Sequence, residues 1–293
     1  PVNLSMVPLT YIFAAGNRAM VKMSENSRHL ARLLIERIPA YFPPEKLQFF
    51  DETGGVGVAF SQLPFDHLLF TGSGQTGRAV MAAAAKNLCP VTLELGGKAP
   101  AILCDDFPLR LAAERILFVK FLNAGQICTS VDHLWMPQDK IGDFVREAQQ
   151  IVPRRYPSLE SVDYTSIIDQ TAFDRLLVAL DDARERGATL VQLVPGQRWD
   201  EATHKIAPHL VLNATDDCEL LTREIFGPVL HVVRFAGDRI ADVCEALNAT
   251  GFGLTLGLHT RIETTAAEVR RRMRVGNIYV NRNQIGAVVG SQP

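Results

Sequence analysis

Residues 68–77, Leu-Leu-Phe-Thr-Gly-Ser-Gly-Gln-Thr-Gly, constrain the fold of this chain more than any other stretch. An apolar run of strand type ends in the spacing Gly72-x-Gly74-x-x-Gly77, and an alanine-rich segment of helical type, Thr76 to Lys86, follows. Glycine lets the backbone turn tightly and approach a ligand closely, and a helix that starts there offers amide hydrogens and a positive dipole end to an anion. Between strand and helix this spacing is the dinucleotide fingerprint, with a pyrophosphate as its expected ligand. The same alternation recurs along the chain. Ala19–Met23 then Arg28–Ile38, and His67–Phe70 then Thr76–Lys86, are predicted as strand then helix, and Asp238–Leu247 then Leu254–His259 as helix then strand. After Asp169, residues Phe173, Leu176, Leu177, Leu180 and Ala183 recur at helical spacing, with Asp169 to cap the start, Gly187 to stop the helix and a strand over Ala188–Val194. Such a chain is α/β with mostly parallel sheets.

At 293 residues the chain exceeds one ordinary core and divides into about two domains. The turn Gly96-Gly97-Lys98-Ala99-Pro100 is the best boundary, separating a partial dinucleotide-binding domain (1–98) from a catalytic domain (99–293). The formal charge of −2 lacks the basic excess that nucleic acid or an anionic membrane requires, and Arg270–Arg272 with Arg274 read as the C-terminal end of a helix. No apolar run reaches the roughly 18 residues of a membrane span, and no basic segment precedes an apolar one at the start, so the expected location is cytoplasmic. The five cysteines are scattered and never in C-x-x-C spacing, and the seven histidines form no H-x-x-x-H pair. Neither a disulfide framework nor a metal site is expected, and a thiol is left available to react.

Two further segments carry chemistry. Phe121-Leu122-Asn123-Ala124-Gly125-Gln126-Ile127-Cys128 places a cysteine just after Asn-x-Gly-Gln. Upstream, Val91-Thr92-Leu93-Glu94-Leu95-Gly96-Gly97-Lys98 sets a glutamate at the end of an apolar run and before a Gly-Gly turn. In this order, and each in its full local context, the two segments resemble the aldehyde dehydrogenase superfamily. The resemblance implies a Rossmann-type cofactor lobe, here incomplete, joined to an α/β catalytic lobe, and the NAD(P)-dependent oxidation of an aldehyde to an acid. Cys128 would attack as thiolate to give a thiohemiacetal, because a trigonal aldehyde does not surrender hydride readily. Glu94, partly buried, would act as the general base that activates water against the resulting thioester.

The resemblance also assigns the cofactor groups. An ordinary Rossmann reading would give Glu94, 17 residues after Gly77, to the ribose. In the superfamily the loop Phe-Thr-Gly-Ser-x-x-x-Gly lies at the phosphates, which maps onto Gly72, Ser73 and Gly77, and an upstream lysine and glutamate hold the ribose. Those match Lys22 and Glu25, which follow the superfamily-like Ala14-Ala15-Gly16-Asn17. A carboxylate at Glu25 accepts from ribose hydroxyls and repels a 2′-phosphate, so NAD is preferred and NADP is the alternative. Arg223-Glu224-Ile225-Phe226-Gly227-Pro228 resembles the E-x-F-G-P segment, which gives Glu224 to the nicotinamide ribose and Phe226 to the ring. Asn123 is expected to orient the cysteine loop.

The chain does not cover the whole superfamily pattern. Counting back from Ala14-Ala15-Gly16-Asn17 places the oxyanion-hole asparagine two residues before Pro1, so Asn3 is a decoy on the following helix. A shortened chain is the expectation, with a homodimer or homotetramer for the full-length parent; a fragment with only a nucleotide-binding or structural role is the reading from another class. Residues from Asn3 to about Gly227 look like coniferyl aldehyde dehydrogenases. From about Pro228 the chain looks like glutamate semialdehyde (pyrroline carboxylate) dehydrogenases, whose Gly-Ala loop, here Gly286-Ala287, binds the substrate carboxylate. An aromatic aldehyde is preferred because that likeness covers the nucleophile loop, with glutamate γ-semialdehyde as the alternative.

Overall fold

The computed structural model describes residues 2–236, 239–251 and 253–286. The chain divides into two units, Pro1–Leu95 and Gly96–Pro293. In the first, α1 (Val2–Ala14), β1 (Ala19–Lys22), α2 (Arg28–Arg37), β2 (Leu47–Phe50), α3 (Val56–Ser61), β3 (Leu68–Gly72), α4 (Gly74–Ala85) and β4 (Val91–Leu95) follow in order. β1 pairs with β2 and β3 with β4, both in parallel, giving two separate two-stranded sheets. Ala31, Leu47 and Phe49 form one small core with Leu9 and Met23, and Leu68, Ala84 and Cys89 form another. The alanine-rich sequence lets α4 lie close on its sheet. A methyl group at Gly77 would come within 2.7 Å of Leu95 Cδ2, which is why glycine stands there.

The second unit contains β5 (Pro100–Leu103), α5 (Leu109–Phe121), β6 (His133–Pro137), α6 (Ile141–Arg155), α7 (Gln170–Glu185), β7 (Thr189–Gln192), the ribbon β8 (Trp199–Asp200) and β9 (Lys205–Ile206), and β10 (His209–Leu212). It continues through α8 (Glu219–Thr222), β11 (Val229–Phe235), α9 (Ile240–Ala249), β12 (Gly253–His259), α10 (Glu263–Arg272) and β13 (Val275–Val280). Seven strands form one sheet in the order β13-β12-β5-β6-β11-β10-β7, parallel throughout except for β7 against β10. Ala101 and Leu103 of β5 pack with α5 and α6 on one face, and Ile102 between them packs with α9 and α10 on the other. Burial on both faces explains why Pro100-Ala-Ile-Leu103 is continuously apolar rather than alternating. α7 buries Phe173, Leu176, Ala179, Leu180 and Ala183, and Asp169 Oδ1 accepts the Ala172 N–H at 2.8 Å. Arg270–Arg272 form the last turn of α10, where cations complement the helix dipole. Among the described residues no helix is long and apolar enough to cross a membrane.

Candidate active site

In the first unit an open cleft of about 1980 Å³ is lined by Lys22, Glu25, Glu52, Gly72, Ser73 and Thr76 among others. Lys22 ends β1, and Glu25 lies exposed in the short turn that follows, where Ser24 Oγ accepts the Asn26 N–H. Ser73 caps α4: its Oγ accepts the Thr76 N–H at 3.2 Å and lies 3.0 Å from Thr76 Oγ1. Four of the five cofactor candidates in this unit, Lys22, Glu25, Gly72 and Ser73, thus line one cleft, while Gly77 packs on Leu95. A dinucleotide fits this donor set: hydroxyls and helix-end amides suit phosphate, and a lysine with carboxylates suits ribose. Glu52, which sequence reasoning passed over, stands in the same wall and pairs with Lys22. Its signal was its place, since an acid just beyond the C-terminal end of a parallel strand lies where such sheets bind ligands.

Glu94 lies on β4, and its side chain is exposed, so the partial burial expected of it is not found. Along β4 the side chains alternate, Val91, Leu93 and Leu95 half-buried and Thr92 and Glu94 on the open face of a sheet only two strands wide.

In the second unit α5 stops at Phe121, and the chain then bends through an elbow. Asn123, Ala124 and Gly125 take φ values of 53°, 51° and 75°, three left-handed residues in succession. Such a run is costly for Asn and Ala and persists only when neighbours hold it. Asn123 Nδ2 donates to Gln126 O at 3.2 Å, and Gln126 Nε2 donates back to Asn123 O at 3.1 Å and to Ser166 O at 3.0 Å. Gln126 Oε1 accepts the Ile168 N–H at 2.9 Å. From the other side, a side chain at Gly125 would run into Gly227 O, so this glycine admits the Phe226-Gly227-Pro228 segment directly against the elbow. Phe226 is itself left-handed at φ 46°, and half-exposed. The structure therefore brings Cys128, Asn123 and Phe226 onto adjoining segments. Cys128 is half-buried, whereas the other four cysteines are buried. Burial pushes the Cys104 and Cys244 thiols up to about 12 and about 11, which makes them poor nucleophiles.

Beneath these segments lies a polar network that the sequence did not announce. Lys98 pairs with Asp132 and donates to Leu220 O at 2.8 Å and Arg223 O at 3.0 Å, while Asp132 Oδ1 accepts the Ile225 N–H at 2.7 Å. This ties the Gly96–Pro100 turn to the Glu224–Phe226 segment. The Glu224 carboxylate packs on Gly96 and accepts the Gly97 N–H, and burial pushes it up to about 7, with Asp132 adding to the rise. Lys120, 1% exposed, is lowered to about 8 by its burial. His133 receives the Trp135 Nε1–H on Nδ1 at 2.9 Å, so its Nε2–H is left to donate to Lys98 O at 3.1 Å. Burial drives His133 to about 4, and its cross-strand neighbour His231 to about 3.

The start of the proposed substrate loop is anchored as well. Asn281, at φ 55°, accepts the Thr260 N–H at 2.9 Å and donates to Thr260 O at 2.6 Å, and Gln284 Nε2 donates to Pro100 O at 3.1 Å. Gly286 is half-buried; Ala287 lies outside the described residues. Among the described residues no three His, Cys, Asp or Glu side chains are grouped as a metal ion would need.

Comparison with known proteins follows the same lines. The family model described as aldehyde dehydrogenase family matches residues 1–293. A probable coniferyl aldehyde dehydrogenase of Pseudomonas aeruginosa is 46% identical over 250 residues, which cover 85% of this chain and 51% of that protein. The substrate-bound AldH of Staphylococcus aureus superposes with a TM-score of 0.87 at 29% identity, over 94% of this chain and 59% of that one. A mutant of proline utilization A (PutA) from Bradyrhizobium japonicum superposes with a TM-score of 0.84 at 30% identity, over 95% of this chain and 29% of that one. The chain spans about half the length of the curated relatives it matches.

Proposed function

Because the chain belongs to the aldehyde dehydrogenase family, we propose that it carries the nucleophile, the base and the cofactor groups of an NAD(P)-dependent oxidation of an aldehyde to a carboxylic acid. The observation that carries this reading is the strained elbow Asn123–Gly125, which presents Cys128 as the most accessible of the five thiols. Cys128 adds as thiolate to the carbonyl carbon and forms a thiohemiacetal, a tetrahedral centre that can release hydride. A bound nicotinamide dinucleotide supplies the hydride acceptor. The acyl group is left as a thioester on Cys128. Glu94 takes a proton from the water that attacks this thioester, so the acid departs and the thiolate returns. Lys22 and Glu25 hold the adenosine ribose, Gly72, Ser73 and the first turn of α4 receive the pyrophosphate, and Glu224 and Phe226 serve the nicotinamide half. Gly77 contributes through the close packing of α4.

An aromatic aldehyde such as coniferaldehyde is the preferred substrate, on the strength of the 46% identity to the P. aeruginosa protein named for that activity. Glutamate γ-semialdehyde is the second reading, favoured by the likeness to PutA and by the sequence around Gly286-Ala287. Iodoacetamide should label Cys128 well ahead of Cys89, Cys104, Cys218 and Cys244 in this chain, and equal labelling of all five would overturn the nucleophile. In a protein of the family's full length, Glu94→Gln should leave an NADH burst and slow the turnover after it by roughly 10²- to 10⁴-fold. Loss of the burst itself would move Glu94 to an earlier step. The ratio of kcat/KM for coniferaldehyde and glutamate γ-semialdehyde then decides between the substrates.

A further inference from the structure

β1 and β2 run in parallel with Lys22 opposite Phe50, so their C-terminal ends stand level at the rim of the cleft. Glu52 emerges from β2 two residues beyond that register position and pairs with the Lys22 ammonium. Its Oε1 accepts the Gly57 N–H at 3.3 Å. Glycine at 57 is what lets the backbone come so close: a Cβ there would stand 3.1 and 3.2 Å from the two carboxylate oxygens and 3.3 Å from Lys22 Nζ. The pair is 20% and 29% exposed and lines the cleft with Glu25, Ser73 and Thr76. The Lys22 ammonium holds the Glu52 carboxyl below its ordinary value, so the carboxylate is ionised at neutral pH.

NAD and NADP differ at one place, the 2′ position of the adenosine ribose, which carries a neutral hydroxyl or a phosphate of nearly two negative charges. A phosphate requires an uncommitted cation, and a hydroxyl requires an acceptor. In this cleft the lysine at the strand ends is already committed, and two carboxylates, Glu25 and Glu52, stand in the wall. We propose that Glu52 is the residue that sets cofactor choice: by engaging Lys22 it withholds the cation a 2′-phosphate needs, and it offers its carboxylate to a 2′-hydroxyl. This rests on the reading of the cleft as the adenosine site.

The test is isothermal titration of the 293-residue chain with 5′-AMP and with 2′,5′-ADP, so that no turnover is required. The unaltered chain should bind 5′-AMP more tightly. Glu52→Gln keeps the size and the Gly57 acceptor but removes the charge, and should shift the affinity ratio toward 2′,5′-ADP by on the order of tenfold or more. Glu52→Asp, which keeps the charge, should hold the original preference, and Lys22→Met added to Glu52→Gln should remove the gain, because the released ammonium is what the phosphate uses. A ratio unmoved by Glu52→Gln while 5′-AMP still binds overturns the role of Glu52 and leaves the cleft as the adenosine site. Failure of the unaltered chain to bind either compound overturns the cleft reading, and this inference with it.

Discussion

Pro1–Leu95 and Gly96–Pro293 use the same alternation of strands and helices, yet of twenty large hydrophobic side chains exposed among the described residues, thirteen lie in the first. The second unit is twice as long and aligns seven strands in one sheet, so helices can cover both faces. The first has two sheets of two strands, too narrow to shield one face from water, and such pairs are marginal alone. Their ion pairs differ in the same way. Lys98–Asp132 sets a partly exposed ammonium on a buried carboxylate and is tied to three backbone groups, while Lys22–Glu52 faces an open cleft. Identical local patterning yields a self-sufficient core only where enough strands lie side by side.

The strongest test of this contrast is Asp132→Ala. It leaves the buried Ile225 N–H without its acceptor and the Lys98 ammonium with only the Leu220 and Arg223 carbonyls, and should cost the second unit about 3 kcal/mol. Both tryptophans, Trp135 and Trp199, lie in that unit, so urea unfolding followed by tryptophan fluorescence reads it selectively, while far-ultraviolet circular dichroism reads both units. Two steps are expected, the first unit melting earlier and unmoved by the substitution. A single step that shifts as a whole would erase the distinction between the units.

Acid should separate the units by a smaller margin. Burial lowers His133, His209 and His259 to about 4 and His231 to about 3, all in the second unit. Between pH 6.5 and about 4 the unfolded chain therefore binds more protons than the folded one, and stability falls as pH falls. Glu224 acts in the opposite sense: raised from 4.5 to about 7, it makes the folded chain lose stability as pH rises through that interval. Four histidines outweigh one carboxyl, so the stability of the second unit should rise with pH from about 4 to about 7 and then level off, and Glu224→Gln, which removes the opposing contribution, should steepen that rise. In the first unit the carboxyls Asp51 and Glu52 are lowered, so the stability they contribute is present above about pH 4 and is lost as pH falls further. The smallest effect belongs to Glu52→Gln, whose pair stands partly exposed at an open cleft; it should move the first transition by no more than about 1 kcal/mol. A larger shift would mean that this pair supports the fold as much as Lys98–Asp132 does.

Sequence alone carried some of this and not the rest, for physical reasons. α7 was legible because its apolar residues repeat at helical spacing behind the Asp169 cap, and α4 because alanines follow a glycine turn. Cys128 was legible through its motif, but nothing local in Asn123-Ala124 forces a left-handed φ; the partners that hold it lie at Ser166, Ile168 and Gly227. Nothing in the sequence pairs Lys98 with Asp132, since a separation of 34 residues leaves no spacing rule. Alternation along Val91–Leu95 assigns Glu94 to a face, yet whether that face is covered depends on which strands are neighbours, and periodicity is silent on that.

The elbow also has a consequence for the order of synthesis. Cys128 leaves the ribosome before the residues that brace its loop: Ser166 and Ile168 follow by about forty positions, and Gly227 by about a hundred. Until those segments arrive, Asn123 and Ala124 have no reason to hold a left-handed backbone, and nothing sets the nascent thiol apart from Cys89, Cys104 and Cys218. Its distinctive presentation is therefore acquired late, as a product of tertiary folding, and chain released before residue 227 is made carries the nucleophile's sequence without its geometry.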